Sequence, residues 1–305
     1  MHIVQFLTAS PERSLRVGRL DGNQVVDVTN PQRGLNSTLD IISWADRENS
    51  DLATAVEALA ATGPVYRLAD LDVAPDPARS SGPFLDIPLY PPEVWGCGVT
   101  YRKSAEFRDE ETDQKRGMYD QVYSAPRPEI FFKATPARCV GPRGPIGIRS
   151  DSSFTAPEPE LAIVVASNGR ILGYTVADDV SAWDIERENP LYLPQSKIFQ
   201  GCCALGPALV TADEVADPYG LRVNARIIRD NQVIFEDSVE TSRIKRRLEE
   251  LVEYLKRDNP IPAGTVVLTG TGIIVSAEHA LKEGDVVEIE IPGLGRISNP
   301  ARRLG

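Results

Sequence analysis

Glu158-Pro159-Glu160-Leu161-Ala162-Ile163-Val164-Val165 is followed, after the turn-like Ser167-Asn168-Gly169-Arg170, by Ile171-Leu172-Gly173-Tyr174-Thr175-Val176-Ala177-Asp178-Asp179-Val180. Short apolar runs separated by a polar glycine turn read as strands. Similar runs close the chain, at Thr265-Val266-Val267-Leu268 and Val286-Val287-Glu288-Ile289-Glu290-Ile291. The larger part of the protein is therefore expected to be α+β and strand-dominated, without the regular βαβ rhythm of a doubly wound sheet.

The same stretch carries the first chemical signal. Side chains alternate along a strand, so Glu158 and Glu160 point to one face. Two adjacent like charges are costly unless water or something positive separates them. A pair on a solvated edge meets that condition, but here Asp178 and Asp179 add carboxylates at the end of a neighbouring apolar strand. Oxygen donors without a usable histidine or thiolate suit Mg²⁺, Mn²⁺ or Ca²⁺ and argue against Zn²⁺.

Outward toward the N-terminus, Met1–Leu7 reads as a first strand, being short, apolar and without a basic leader. Asp21-Gly22-Asn23 is a hairpin turn between Arg16–Leu20 and Gln24–Val28. A helical stretch is expected over Thr38–Ala61, stopped by Gly63-Pro64. Prolines 75, 77, 83, 88, 91 and 92 then mark a connector. The expected organisation is a small N-terminal α+β domain over 1–72, a connector over 73–92 and a catalytic domain over 93–305. Within the last, a helix is expected with Ser242 as N-cap and Ile244, Leu248, Leu251 and Leu255 on one face.

Composition narrows the function further. A net charge of -11 argues against nucleic acid or an anionic membrane as partner. No apolar stretch approaches the roughly 20 residues of a membrane helix. The four cysteines, Cys97, Cys139, Cys202 and Cys203, have neither zinc nor disulfide-framework spacing, as expected for reduced thiols in the cytoplasm. His2 and His279 are the only histidines, one at the N-terminus and one in an expected exposed turn. Triads and dyads built on histidine are excluded, so proton transfer falls to carboxylate, lysine, tyrosine or water.

Three further segments have open readings. Lys197 ends the loop that starts at Glu188-Asn189-Pro190, and is either a surface lysine or a proton-transfer group in an apolar setting. Glu129-Ile130-Phe131-Phe132-Lys133 is an edge strand with charged ends, or places both charges at a site. Thr269-Gly270-Thr271-Gly272 is a turn that can offer N–H groups and a hydroxyl to an anion.

In order, Trp95–Tyr101, Phe131-Phe132-Lys133, Glu158-x-Glu160-Leu161, Gly173–Asp184, Lys197 and Leu268–Thr271 resemble the fumarylacetoacetate hydrolase family over roughly residues 90–305. The resemblance implies a mixed β-roll catalytic domain and a Mg²⁺ ion (or Mn²⁺ or Ca²⁺) held by Glu158, Glu160 and Asp179. Arg127–Pro136 and Glu188–Lys197 look most like the family's sugar-acid dehydratases. That likeness implies Glu129 and Lys197 as acid/base groups, with Tyr101, Lys133 and Thr271 as substrate contacts. It also implies a homodimer or homotetramer. The expected reaction is dehydration of a 2-keto-3-deoxy pentonate to 2-oxoglutarate semialdehyde, in sugar-acid catabolism. The alternatives are a C–C hydrolase of an acylpyruvate-type 2,4-diketo acid and a non-catalytic sugar-acid sensor. Two positions depart from the family's pattern: Ser104 stands where its hydrolases carry histidine, and Trp183 where many members carry arginine.

Overall fold

The computed structural model describes residues 1–9, 13–59, 63–75, 82–102 and 118–305. The expected strand-dominated α+β architecture is found. The N-terminal unit contains β1 (His2–Leu7), β2 (Leu15–Asp21), β3 (Gln24–Asp27), α1 (Thr38–Arg47), α2 (Leu52–Glu57), β4 (Val65–Arg67) and α3 (Leu68–Leu71). The β2–β3 hairpin turns at Gly22-Asn23, where Gly22 has φ 61°. The expected long helix is two helices. Ser37 and Asp40 form a reciprocal capping box at the start of α1, whereas left-handed Asn49 ends that turn and Asp51 begins the next. The expected end at Ala61 lies outside the described residues.

The connector contributes β5 (Phe84–Leu85), which pairs with β1, and leads into β6 (Val94–Gly98). Then come α4 (Met118–Ser124), β7 (Glu129–Ala134), β8 (Cys139–Val140), β9 (Ile146–Ile148), β10 (Thr155–Ala156), β11 (Pro159–Val165) and β12 (Ile171–Asp179). Beyond them lie β13 (Ser181–Ala182), α5 (Trp183–Glu188), α6 (Leu193–Lys197), β14 (Cys203–Thr211), β15 (Arg222–Arg229) and β16 (Gln232–Glu240). The chain finishes with α7 (Leu248–Lys256), β17 (Thr265–Leu268), β18 (Val286–Ile291) and β19 (Gly295–Arg303).

The main sheet runs β4-β3-β2-β1-β14-β12-β11-β17-β6-β7, so the strands of the N-terminal unit and of the catalytic region are hydrogen-bonded into one sheet. A second sheet, β16-β15-β18-β19-β9, lies against β11, β12 and β14. Every residue of β11 is buried, which explains its continuous apolar pattern: both of its faces are covered. The β11–β12 hairpin turns at Gly169, with φ 91°, and Ser167 anchors the turn by donating its hydroxyl to Asp46 of α1 at 2.7 Å.

The late helix starts six residues beyond the expected Ser242 cap. Thr241–Arg243 form a 3₁₀ turn, and Ile244 and Arg247 are extended. Tertiary hydrogen bonds hold that stretch open: Lys245 N donates to Thr100 O at 3.0 Å, and the Arg246 guanidinium donates to Pro126 O at 3.0 Å. No helix among the described residues is long and apolar enough to cross a membrane.

Candidate metal centre and active site

The hairpin of β11 and β12 brings the acidic residues together. Glu160 pairs with Ala177 and Pro159 with Asp178, while Asp179 N donates to Glu158 O at 3.0 Å. One carboxylate oxygen from each of Glu158, Glu160 and Asp179 lies within 4.8 Å of the others, and all three side chains are buried.

Three buried like charges need positive neighbours, and two lysines supply them. Lys197, at the end of α6, donates to Glu158 Oε1 at 2.8 Å, Asp179 Oδ2 at 3.1 Å and Ser181 Oγ at 2.7 Å. Lys133, on β7, lies 2.5 Å from Asp179 Oδ1 and donates to Val180 O and Lys197 O at 2.9 and 2.6 Å. Burial pulls the Lys133 ammonium toward neutrality, but Asp179 overrides it and its pKa ends up raised. Three carboxylates against two ammonium groups leave an excess of negative charge. Consistent with that, Glu160 is driven well above the usual carboxylate range, by burial first and then by Asp179 and Glu158.

Fixed dipoles complete the cradle. Gly270 N, after β17, donates to Glu160 Oε2 at 2.6 Å. The turn's N–H does meet an anion, and that anion is the protein's own. The Trp183 indole donates to Glu158 Oε1 at 2.9 Å. Behind the cluster, Asp178 Oδ1 accepts from Glu158 N at 2.9 Å, and burial pushes the Asp178 carboxyl up to about 8. This oxygen-only donor set, buried and short of positive charge, fits a hard divalent cation.

Glu129, Phe131 and Lys133 alternate onto one face of β7. Lys133 touches Asp179, and the Phe131 ring centroid is 5.3 Å from Lys197 Nζ, so Glu129 extends the same row away from the cluster. Its carboxylate lines a cavity of about 100 Å³ with Tyr119, Val122, Glu186, Pro190 and Leu193. Gly98, its register partner on β6, makes the room: a Cβ there would sit 2.0 Å from Glu129 Oε2.

The residues expected to contact substrate are placed differently from one another. Tyr101 is buried beside the Gly272 backbone, and burial followed by Glu160 raises its hydroxyl's pKa. Thr271 is buried, and its hydroxyl accepts from Ile273 N at 3.1 Å, closing its own turn. Lys133 is fully buried, with its ammonium engaged by Asp179 and two carbonyls. The sequence offered no sign of the parts played by Trp183, Ser181, Asp178 and Gly98. Ser104 lies outside the described residues. His2, in β1, and His279, against the Phe235 ring at 5.5 Å, stand apart from the cluster.

Two large sheets and the small β10-β13 pair thus frame a buried carboxylate triad, flanked by paired lysines at one end of a hairpin, that could hold a hard metal ion. The family model for the fumarylacetoacetate (FAA) hydrolase C-terminal domain matches residues 93–302, and the chain belongs to that family. It is 53% identical over 219 residues, 71% of this chain and 74% of the relative, to 2-dehydro-3-deoxy-D-arabinonate dehydratase of Saccharolobus solfataricus. It is 42% identical over 303 residues, 98% of each chain, to a probable 2-keto-3-deoxyxylonate dehydratase of Haloferax volcanii. A solved structure of 2-keto-3-deoxy-D-arabinonate dehydratase complexed with magnesium and 2,5-dioxopentanoate superposes with a TM-score of 0.80 at 38% identity, covering 100% of this chain and 99% of the other.

Proposed function

We propose that this protein is a Mg²⁺-dependent dehydratase that converts a 2-keto-3-deoxy pentonate to 2-oxoglutarate semialdehyde, the 2,5-dioxo acid, in sugar-acid catabolism. The observation that carries the reading is the convergence of Glu158, Glu160, Asp179 and Lys197 on one buried point, in a chain whose 53% and 42% identical relatives are such dehydratases.

Glu158, Glu160 and Asp179 are the residues that would hold the ion, with Mn²⁺ or Ca²⁺ as substitutes. Bound there, Mg²⁺ supplies Lewis acidity to the 2-keto acid's carbonyl and carboxylate oxygens. Lys133 fixes Asp179 from behind, the Trp183 N–H fixes Glu158, and Gly270 N–H fixes Glu160. Glu129 and Lys197 divide the proton transfers. One removes a proton from C3, and the other protonates the departing C4 hydroxyl, leaving the 3,4-unsaturated keto acid and one water. Loss of a C5 proton with protonation of the C2 oxygen gives the dienol, and protonation at C3 and C4 with loss of the two enol O–H protons completes the keto aldehyde. Tyr101 and Thr271, both buried near the turn after β17, are the proposed substrate contacts.

Hydrolysis of an acylpyruvate C–C bond would need an activated water, and neither histidine is near the cluster. Residues 1–72, 73–92 and 93–305 act as N-terminal unit, connector and catalytic unit of a cytoplasmic homodimer or homotetramer. Mass spectrometry of the products with Mg²⁺ and 2-keto-3-deoxypentonates tests the reaction. A product 18 Da lighter than substrate, lost on chelation and regained with Mg²⁺, is expected. Cleavage of acylpyruvates with no action on the deoxy acids would overturn the assignment.

A further inference from the structure

Three of the four cysteines gather at the junction of β8 and β14, on the strand next to the one that carries Asp179. The short strand β8 runs parallel to β14, and Cys139 is the direct register partner of Cys203. Register partners in neighbouring strands are about 4.8 Å apart with side chains on one face, inside the Cα separation of about 4.4–6.8 Å that a disulfide spans. The Cys139 thiol donates to Thr135 O at 3.4 Å, a contact it can leave without breaking a strand ladder. Cys202, the next residue, points elsewhere, with its sulfur 3.8 Å from Lys133 O.

The pair is asymmetric in access. Cys203 is fully buried. Cys139 is partly exposed and lines a cavity of about 390 Å³ with Pro145, Gly201, Arg302, Arg303 and the C-terminal Gly305. A small oxidant entering that cavity meets Cys139 first, with Cys203 immediately behind it.

We propose that Cys139 and Cys203 form a peroxide-responsive dithiol that closes to an intrachain disulfide. The thiolate of Cys139 attacks one oxygen of hydrogen peroxide. The O–O bond breaks, hydroxide leaves and takes up a proton, and Cys139 becomes the sulfenic acid. The sulfur of Cys203 then attacks the Cys139 sulfur, the S–S bond forms, the S–O bond breaks, and water departs with the Cys203 proton. Two thiols lose two electrons in all, and one peroxide becomes two waters. Full burial keeps Cys203 away from the oxidant, which suits the resolving partner over the attacking one.

The crosslink also has a mechanical consequence. The segment from Cys139 to Cys203 carries Glu158, Glu160, Asp179 and Lys197, and Cys203 is the register partner of Asp179 across β14 and β12. Oxidation closes a covalent loop around the whole metal-binding segment, restricting its unfolded state. This holds whichever reaction the centre performs.

The test uses the full chain in Mg²⁺-containing buffer, treated with hydrogen peroxide and alkylated after unfolding. A mass loss of 2 Da is expected, with a Cys139–Cys203 linked peptide that dithiothreitol reverses and that persists in Cys202→Ala. Cys139→Ser and Cys203→Ser should each abolish the link while keeping the melting temperature of the reduced wild type. The oxidised wild type should melt about 5 °C higher or more. Overoxidation of Cys139 with Cys203 still alkylatable, a link through Cys202 instead, or both thiols intact where free glutathione is oxidised, would each overturn the proposal.

Discussion

Replacing Trp183 by phenylalanine removes one hydrogen bond at the proposed metal centre. The side chain is buried at 4% exposure, beside Phe154 with ring centroids 6.0 Å apart, and the Arg187 guanidinium lies 4.8 Å over Phe154. Phenylalanine keeps a smaller aromatic ring in that slot and deletes the N–H that reaches Glu158 Oε1 at 2.9 Å. The oxygen is not orphaned, because Lys197 still donates to it at 2.8 Å. A hydrogen bond to a charged group contributes about 1.5–3 kcal/mol, and loss of a partner that orients a metal ligand costs about 10–100-fold in affinity, or about 1.4–2.8 kcal/mol. The two ranges agree. Turnover titrated against Mg²⁺, together with direct Mn²⁺ binding followed by electron paramagnetic resonance, should give a half-saturating concentration raised about 10-fold or more. At saturating metal, kcat should recover to within several-fold. An unchanged metal titration in a folded Trp183→Phe protein would refute the claim that the indole positions Glu158.

Lys197→Met should lower kcat by about 10²-fold, the scale of a lost acid or base. The same change removes a cation from Glu158 and Asp179, so calorimetry should show tighter Mg²⁺ binding; weaker binding would mean that Lys197 holds the carboxylates in place. Gly98→Ala drives a methyl to 2.0 Å from Glu129 Oε2 and should cut kcat about as much as Glu129→Gln, with Mg²⁺ affinity preserved. Wild-type turnover in Gly98→Ala would show that the position of Glu129 does not matter. Asp178 gives a pH signature: its carboxyl sits at about 8 when folded against an ordinary 3.8. The folded chain therefore keeps a proton that the unfolded chain releases, and this group's contribution to stability falls as pH rises from about 4 to about 8. In metal-free protein the melting advantage of Asp178→Asn over wild type should grow across that window, and a difference independent of pH would contradict the assignment.

The strand pair that holds the triad was legible because β11 and β12 are buried on both sides and carry uninterrupted apolar runs. Only the family resemblance separated Asp179 from Asp178. The fold gives them different tasks, one facing Glu160 and both lysines, the other accepting the Glu158 N–H. Lys133 read as a charged strand end because its partner, Asp179, is distant in the chain and joins it only when β7 and β12 come together. The late helix was placed too early for a similar reason: the Lys245–Thr100 and Arg246–Pro126 bonds are long-range and outweigh local helix propensity. Trp183 read as a departure from a family pattern, and only its geometry gives its N–H a purpose.

The ladder between β1 and β14 bears on how the chain can be cut. His2 faces Val210 and Ile3 faces Leu209, so the protein's first residues cover one side of the strand that itself pairs with the Asp179-bearing β12. A fragment beginning at the catalytic region would bare the backbone N–H and C=O groups of β14, a ready template for another copy to pair with. Such a truncate should collect in the pellet even though it retains every proposed catalytic residue. Adding back a peptide of residues 1–7 should be less effective than the whole hairpin, because β1 is itself held in place by β2.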